Sequence, residues 1–266
     1  MDGYALQLSE QELARYRGMA ERARVSEADL WASAGIAPGA RIADVGCGPG
    51  ATLAVMAQMV GPSGWVTGVD GDENAVHAAE QLLAAAGVVN ADLRVGRADE
   101  TGLEPGTFDV AVLRHVLAHN GGIEQRIVNH LATLVRPGGA VYLVDVDLSS
   151  MRIMPSAPEL ADIMDKYVDF HRSRGNDPLV GLSLNRLART AGLTVSDFRG
   201  RYDIMEMPVG MRPPPWAARE AMVASGVATE DDVRRWGAAL DQMDTIEPRP
   251  MVFPSVFVAI GRRPGS

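Results

Sequence analysis

From residue 41 onward, short apolar runs alternate along the chain with longer amphipathic stretches. The apolar runs have the length of buried strands, and the stretches between them repeat their apolar positions with the period of a helix. This alternation is typical of βαβ units and predicts a parallel sheet. Strands are predicted at 41–45, 65–70, 92–96, 108–113 and 140–146, with helices between them at 50–60, 72–86 and 123–135.

The segments before and after these units carry their own helix signals. Ser9 and Ser26 each stand three residues before an acidic residue, Glu12 or Asp29, which is the pattern of a capped helix start. Two helices are therefore predicted ahead of the first strand. After residue 147 the pattern predicts helices near 158–174 and 180–191, a strand at 193–199, a helix capped by Thr229 and a last strand at 252–260.

The composition narrows the class of protein and of partner. With 266 residues, 47% of them hydrophobic, the chain is long enough to bury a full core. A net charge of −9 has the wrong sign for a protein that binds phosphate backbones, so nucleic acid is not expected as a partner. One cysteine allows no intramolecular disulfide, and the first residues lack the basic and apolar regions of a signal peptide. No apolar run reaches the length of a membrane span, so we expect a cytoplasmic protein without a membrane partner.

A glycine-rich segment stands where the first predicted strand passes into a helix. It reads Asp44-Val45-Gly46-Cys47-Gly48-Pro49-Gly50. Three glycines in such a turn let the backbone bend sharply and approach a ligand without Cβ clashes. A tight structural turn is the alternative interpretation, because short motifs of this kind also occur without a ligand.

Charged residues at the following strand ends favour the ligand-binding interpretation. Asp70 ends the second strand, where a carboxylate can accept both hydroxyls of an adenosine ribose. Asp99 follows the third strand, in a position to accept a hydrogen bond from an adenine amino group, and Arg114 and His115 follow the fourth. Because open α/β sheets bind ligands at the carboxyl ends of their strands, these side chains are expected in one crevice.

With this combination of motifs the chain resembles the class I S-adenosylmethionine-dependent methyltransferases, specifically the small-molecule group that includes the ubiquinone and menaquinone methyltransferases. The resemblance is close over residues 36–147 and loose elsewhere. It implies S-adenosylmethionine as the cofactor, with Asp44 and the three glycines around its methionine portion, Asp70 on the ribose and Asp99 on the adenine. Family members often carry a larger apolar residue in place of Gly71, where it packs on the adenine. The other residues predicted at the cofactor are Cys47, Gly71, Glu100 and Arg114.

The resemblance also implies the fold class and the division of the chain. The fold class is α/β: a Rossmann-like, doubly wound sheet of seven mostly parallel strands whose last strand is antiparallel, with added helices. We expect a single methyltransferase domain over residues 1–266. Its predicted parts are an amino-terminal helical cap at 1–38, a cofactor-binding core at 39–147, a lid at 148–192 and carboxyl-terminal strands at 193–266 with helices inserted at 203–250.

Three functions compete at the level of sequence. The leading hypothesis is methyl transfer to oxygen, nitrogen or carbon of a small, largely apolar molecule, with secondary metabolism as a candidate setting. An S-adenosylmethionine-binding scaffold with another role, such as cyclisation, is the second. A nicotinamide-dependent dehydrogenase is the third, but its fingerprint is G-x-G-x-x-G and its pyrophosphate needs a free helix N-terminus. Here the loop reads G-x-G-x-G after Asp44, whose carboxylate opposes a pyrophosphate and suits an ammonium or a sulfonium.

Three histidines are candidate catalytic bases. His115 and His119 follow the fourth strand and could take a proton from a hydroxyl acceptor, because imidazole titrates near neutrality. His171 lies on the helix after the fifth strand, where insertions in this family commonly form the acceptor lid. His115 and His119 are preferred, since the strand end fixes their distance from the sulfonium. Each histidine could instead only stabilise local structure, and a base is optional because methyl transfer mainly needs alignment and the exclusion of water.

Four further residues are predicted to contact the acceptor. Tyr4 and Tyr16 precede the core, and amino-terminal segments of related enzymes often fold over the cofactor. Tyr167 shares a helix face with His171, and Met151 begins a methionine-rich stretch whose flexible thioethers suit an adaptable apolar pocket. Simple burial of these side chains in the core is the alternative.

No metal site is predicted. The fourth strand ends on Arg114 and His115, and Asp145 and Asp147 alone do not make a cage for a hard cation. The sequence leaves the oligomeric state open, with a homodimer as one candidate.

Overall fold

The computed structural model describes residues 10–265, apart from the side chains of Gln11 and Glu12. None of the helices in this part of the chain is both long enough and apolar enough to cross a membrane. The strands are β1 Arg41–Val45, β2 Trp65–Asp70, β3 Ala91–Val95, β4 Phe108–Arg114, β5 Val135–Asp145, β6 Arg152–Met154, β7 Thr194–Tyr202, β8 Met205–Glu206, β9 Met251–Phe253 and β10 Ser255–Arg262.

Helices alternate with these strands through most of the chain. The α-helices are α1 Glu10–Ser26, α2 Ala28–Ala34, α3 Ala51–Val60, α4 Glu73–Ala85, α5 Glu124–Leu134, α6 Pro158–Ser173, α7 Leu184–Thr190, α8 Pro214–Ala217, α9 Arg219–Ala224 and α10 Glu230–Met243. Short 3-10 helices cover Leu117–His119, Leu148–Ser150 and Val180–Ser183.

The main sheet has seven strands in the order β3-β2-β1-β4-β5-β10-β7. β1 to β5 pair in parallel, and β10 runs antiparallel between β5 and β7. This arrangement confirms the predicted fold class. The chain builds outward from β1 to β3 on one side and from β4 to β5 on the other, so the strand order reverses between β1 and β4. At such a reversal the carboxyl ends of the strands open a crevice.

Helices cover both faces of the sheet, and this double burial explains why the central strands read as almost continuous apolar runs. On one face the largest fully buried side chains are Trp31, Ile42, Leu53, Met56 and Tyr142. On the other face they are Leu113, Leu117, Ile127, Leu131, Leu134 and Leu143.

A second unit, here called the insertion unit, comprises residues 151–173 and 205–253. Its three-stranded sheet has the order β6-β9-β8, and its apolar cluster joins α6 to α8, α9 and α10. The largest buried side chain of this cluster, Trp236, donates from Nε1 to Asp162 of α6 at 2.8 Å. Segments that are far apart in the sequence therefore share one core beside the main sheet. Strands as short as β6 and β8 carry too few residues for a periodic signal, so the sequence did not predict them.

The prediction that Ser26 caps the second helix is wrong. The Ser26 hydroxyl donates to the carbonyl oxygen of Arg22 at 2.8 Å and belongs to the last turn of α1. Glu27 takes the N-cap position of α2, without a side-chain capping bond. A single residue separates the two helices, so the chain never reaches the extended conformation in which a serine usually caps.

The predicted last strand at 252–260 is two strands. β9 pairs with β6 and β8 in the insertion unit, whereas β10 pairs with β5 and β7 in the main sheet. Pro254 stands between them and has no backbone N–H with which to continue a ladder. A continuous apolar run therefore conceals a change of sheet.

Candidate active site

The glycine loop connects β1 to α3 at the reversal point of the main sheet. Gly46, Gly48 and Gly50 have φ values of 72°, 52° and 77°, a region that disfavours any residue with a side chain. A Cβ on Gly46 would lie 2.3 Å from Cγ2 of Val116, and one on Gly50 would lie 2.8 Å from Cβ of Ala79. Both conformation and packing therefore require glycine here.

Asp70, at the carboxyl end of β2, holds this loop in place. Its Oδ2 accepts from the N–H of Gly48 at 2.8 Å, and its Oδ1 accepts from the N–H of Asp72 at 3.0 Å. Burial raises the pKa of Asp70 above its ordinary value. Each carboxylate oxygen keeps a second lone pair for a hydroxyl donor. The contact of Asp70 with a ribose stays a prediction, and these free lone pairs could accept the ribose hydroxyls.

Asp44 is the most unusual carboxylate of the site. The residue is 2% exposed, and within the described residues its Oδ2 has no hydrogen-bond partner. Burial raises its pKa to about 7; the positive charge of Arg114 opposes this shift and the negative charge of Asp70 adds to it. A buried carboxylate oxygen without a donor is costly unless a cation or donor meets it. Asp44 therefore fits an ammonium or sulfonium group, as its place before the glycine loop predicts.

Asp99, the residue predicted to contact the adenine, already has partners within the protein. The Asp99 side chain is 2% exposed and accepts from Nε and Nη2 of Arg97, both at 3.0 Å, and from Arg126. These arginines, Arg97 first, hold the pKa of Asp99 below its ordinary value. An adenine amino group would share the carboxylate with two guanidiniums, so the predicted adenine contact remains a prediction. Glu100 is exposed and Gly71 has open space, since a Cβ there would come no closer than 3.8 Å to another atom.

Arg114 contacts a residue that the sequence did not single out. Its Nη1 and Nη2 donate to Glu27 at 2.5 and 3.2 Å. Glu27 is 1% exposed and lies at the junction of α1 and α2. No motif marks this glutamate in the sequence, because its partners come from strands far along the chain. The predicted role of Arg114 at the cofactor remains untested, with its guanidinium engaged by Glu27.

His115 adopts a strained backbone conformation at the tip of β4. Its φ of 55° is the one positive value at a non-glycine residue within the described part of the chain. Its N–H donates to the carbonyl oxygen of Val144 at 2.8 Å. Burial and the charge of Arg114 lower its pKa to about 3, so the imidazole is neutral near pH 7. Strain of this kind costs about 1 kcal/mol or more and is concentrated at functional sites.

His119 and His171, two of the predicted acceptor-side residues, lie next to each other. Their ring centroids are 5.0 Å apart, and Tyr167 packs edge-on against His171 with centroids 4.6 Å apart. Burial lowers the pKa of His119 to about 3 and lowers that of His171 as well. Both imidazoles are therefore neutral and able to accept a proton from a bound hydroxyl.

The tautomer of His171 follows from its contacts. Nδ1 lies 3.2 Å from the carbonyl oxygen of Ala118, and a carbonyl oxygen can only accept, so Nδ1 carries the proton. The contact of Nδ1 with Asn176 Nδ2, at 3.4 Å, is longer and weaker. Nε2 is then a lone-pair acceptor, and it is buried without a partner in residues 10–265. His171 thus presents an unsatisfied acceptor.

The turn that carries His119 is held from two sides. Asp145, at the end of β5, accepts from the N–H of Ala118 at 3.3 Å, and burial raises the pKa of Asp145 to about 7. Asn176, just after α6, accepts from the N–H of Gly121 at 3.0 Å. The main sheet and the end of α6 together fix the position of this turn.

The predicted acceptor contacts fall in different places. The Tyr16 ring lies against the loop, with Cε1 3.8 Å from the position of a Cβ on Gly48, and the Arg15 guanidinium stacks over that ring. Tyr167 is buried beside His171, and Met151 is buried in the apolar cluster of the insertion unit. Tyr4 lies outside the described residues. Among the residues that are described, no group of three or more His, Cys, Asp or Glu side chains is arranged to hold a metal ion.

One family model and several curated proteins match this chain. A family model described as a methyltransferase domain matches residues 42–139. A ubiquinone biosynthesis O-methyltransferase of Xanthomonas campestris is 30% identical over 168 residues, which cover 61% of this chain and 66% of that protein. A demethylmenaquinone methyltransferase of Bacillus cytotoxicus is 29% identical over 116 residues, which cover 44% of this chain and 48% of that protein. The chain thus spans about half to two thirds of the length of these curated relatives.

A solved structure shares the fold at low sequence identity. The S-adenosylmethionine-dependent methyltransferase of Aquifex aeolicus superposes with a TM-score of 0.52 and 17% identity, covering 70% of this chain and 90% of that one. This likeness concerns the architecture alone.

Proposed function

Because the chain belongs to the class I S-adenosylmethionine-dependent methyltransferases, we propose that it transfers the methyl group of S-adenosylmethionine to a small, largely apolar molecule. The Xanthomonas relative is an O-methyltransferase, which favours oxygen as the methylated atom. Nitrogen and carbon acceptors remain alternatives. A cytoplasmic location and a homodimer remain predictions from the sequence.

The observation that carries the proposal is Oδ2 of Asp44, which has no hydrogen-bond partner in residues 10–265 and is buried beside a glycine loop at the reversal point of the sheet. S-adenosylmethionine supplies a methyl group on a positively charged sulfur, next to an ammonium. Asp44 would meet the ammonium, which S-adenosylhomocysteine keeps although its sulfur is uncharged. The glycine loop would let the backbone approach the methionine portion, and Asp70 would accept from the ribose hydroxyls. The same carboxylate would repel the pyrophosphate of a nicotinamide cofactor.

On the acceptor side, His171 is the residue best placed to take a proton from a hydroxyl. Its Nε2 is an unprotonated acceptor without a partner in the described part of the chain, and its Nδ1 bond to Ala118 sets the orientation of the ring. This geometry favours His171 over His115 and His119, in contrast to the preference from sequence. The packing of α6 in the insertion unit against the histidine turn would exclude water, which methyl transfer from a sulfonium needs.

Calorimetry with S-adenosylhomocysteine, the demethylated cofactor, tests the cofactor site. We expect a Kd in the micromolar range, which corresponds to roughly −7 to −9 kcal/mol. Asp44→Asn should weaken binding about tenfold or more at pH 8, because a charge-assisted contact is lost. Asp92→Asn is the matched control: Asp92 bonds to Trp65 and Thr67 near the amino-terminal ends of β2 and β3, opposite to the carboxyl ends that form the crevice, and its loss should leave binding unchanged. No heat at millimolar ligand would refute the proposal.

Methyl transfer itself is tested with labelled S-adenosylmethionine and a panel of phenols, amines and quinol-like acceptors. Label in an acceptor supports the enzyme. Tight cofactor binding with no transfer to any acceptor class would point to a scaffold with another role, and binding of a nicotinamide nucleotide instead would point to a dehydrogenase.

A further inference from the structure

A buried charge cluster lies behind the cofactor site, on the face of the sheet covered by α1 to α3. At its centre the Glu27 carboxylate accepts from both Nη atoms of Arg114, from Nη2 of Arg201 at 2.8 Å, from the Tyr142 hydroxyl at 2.6 Å and from Nε1 of Trp31 at 3.2 Å. Burial opposes the charge of Glu27, but Arg114 and the other donors outweigh it and lower the pKa to about 2. Glu27 is therefore ionised and fully partnered.

The strand register places Arg114 on the same face as Asp44. Asp44 of β1 pairs with Val112 of β4, and Arg114 follows Val112 by two residues. Side chains two residues apart on a strand point to the same face. Arg114 and Asp44 accordingly influence each other electrostatically. Both Nη atoms of Arg114 nevertheless bond to Glu27, and Oδ2 of Asp44 has no partner among the residues that the structure describes.

The buried guanidinium of Arg114 thus interacts electrostatically with the carboxylates of both Glu27 and Asp44, but its hydrogen bonds go to Glu27. Had Arg114 turned to Asp44, the two would form a buried ion pair, and the Asp44 carboxylate would already be neutralised before any ligand arrived. We propose that Glu27 is a positioning residue that holds Arg114 away from Asp44 and so keeps the Asp44 carboxylate free for the cationic part of the cofactor. This inference rests on the proposed cofactor site.

The charged and titratable neighbours of Asp44 make the inference specific. Arg114 faces it from β4, Asp70 from β2 and the Cys47 thiol from the loop. Asp70 is an acid and supplies no positive charge, and Cys47 stays protonated, since burial raises its pKa well above the ordinary thiol value. Arg114 is the cation among these neighbours. Without a charge on Glu27, the buried guanidinium of Arg114 would lose its counter-ion, and the Asp44 carboxylate could pair with it instead.

The test is Glu27→Gln, which keeps the shape of the side chain and removes its charge. In the ligand-free protein, carbon NMR of the Asp44 carboxyl group should show its pKa falling from about 7 toward the ordinary aspartate value of about 4. Calorimetry at pH 8 should show S-adenosylhomocysteine binding weakened about 10- to 100-fold, because Arg114 now occupies the carboxylate.

Arg201→Met is the matched control, because it removes the other guanidinium from Glu27 and leaves the pair with Arg114 intact. It should lower the melting temperature. The Asp44 pKa should stay that of the parent, and the cofactor affinity should stay within about twofold of the parent value. If Glu27→Gln behaves like this control, Glu27 only anchors the amino-terminal helices and the inference is wrong.

A second variant keeps the inference testable if Glu27→Gln does not fold. Arg114→Met leaves Glu27 with Arg201, Tyr142 and Trp31, and removal of the nearby cation should raise the Asp44 pKa above its parental value. An unchanged pKa would overturn the coupling between Arg114 and Asp44. The NMR measurement needs no ligand, so failure of the parent to bind S-adenosylhomocysteine would refute the proposed function alone.

Discussion

The two sides of the candidate active site are constructed in different ways. The cofactor side is made mainly by one local segment, the loop at 44–50, with Asp70 at the next strand end supporting it. The predicted acceptor side joins the 3-10 helix Leu117–His119 and the end of α6. A site formed by neighbours in sequence can be recognised from the sequence, whereas one assembled from distant segments depends on how those segments pack.

The two sides also treat their polar groups differently. On the cofactor side a carboxylate is kept buried with a raised pKa, and on the acceptor side three histidines are kept neutral by burial. The buried carboxylate suits the binding of a cation, and the neutral histidines suit the acceptance of a proton. Substitutions on the two sides should therefore affect different steps.

The largest expected effect is on the acceptor side. On a hydroxyl acceptor, His171→Asn should lower turnover about 10²–10⁴-fold, the usual contribution of a general base. The asparagine amide can still donate to Ala118, so the turn should keep its place, and S-adenosylhomocysteine affinity should not change. His77→Asn is the control, because His77 is exposed on α4, where it contacts Gln81 of the same helix. Turnover within a few-fold of the parent would exclude His171 as the base and direct attention to His119 or His115.

The next effect concerns the cofactor loop. Gly46→Ala should reduce the free energy of unfolding by about 2–4 kcal/mol, because it combines a positive φ with overlap of the new Cβ and Val116. Gly71→Ala is the matched control, since its Cβ would meet no atom within 3.8 Å, and its effect should stay within about 0.5 kcal/mol. Urea denaturation measures both. Equal stabilities of the two variants would contradict the close packing assigned to Gly46.

The smallest expected effect is the change in the free energy of unfolding when Asp44 loses its charge. Its folded pKa of about 7 exceeds the unfolded value of about 4, so the folded protein binds more protons between these values and loses stability as pH rises through them. The loss persists above pH 7. Asp44→Asn should therefore stabilise the ligand-free protein by about 1–3 kcal/mol at pH 8 and much less at pH 5.

The same ionisation should make cofactor affinity depend on pH. Protonated Asp44 cannot pair with a cation, so the affinity of the parent for S-adenosylhomocysteine should rise from pH 6 to pH 8 and level off above the pKa of about 7. Denaturation and calorimetry at these pH values provide both measurements. An Asp44→Asn variant that is no more stable than the parent at pH 8 would show that the carboxylate has a partner after all.

Much of the fold was predictable from the sequence because the central strands are buried on both faces and therefore read as apolar runs. Most of the predicted strands and helices of the main sheet agree with the structure to within a few residues. The insertion unit was not predictable in this way. β6 and β8 are three and two residues long, and β9 is continuous in sequence with β10 although the two belong to different sheets.

The sequence by itself determined the cofactor loop, because the need for positive φ at Gly46, Gly48 and Gly50 is a local backbone property that glycine alone satisfies cheaply. Only the tertiary structure decided which charged groups pair behind that loop. Glu27 is an unremarked acidic residue between two helices until Arg114, Arg201 and Tyr142 reach it from three separate strands. The orientation of His171 was decided in the same way, because the carbonyl oxygen that sets its tautomer comes from a turn 53 residues earlier in the chain.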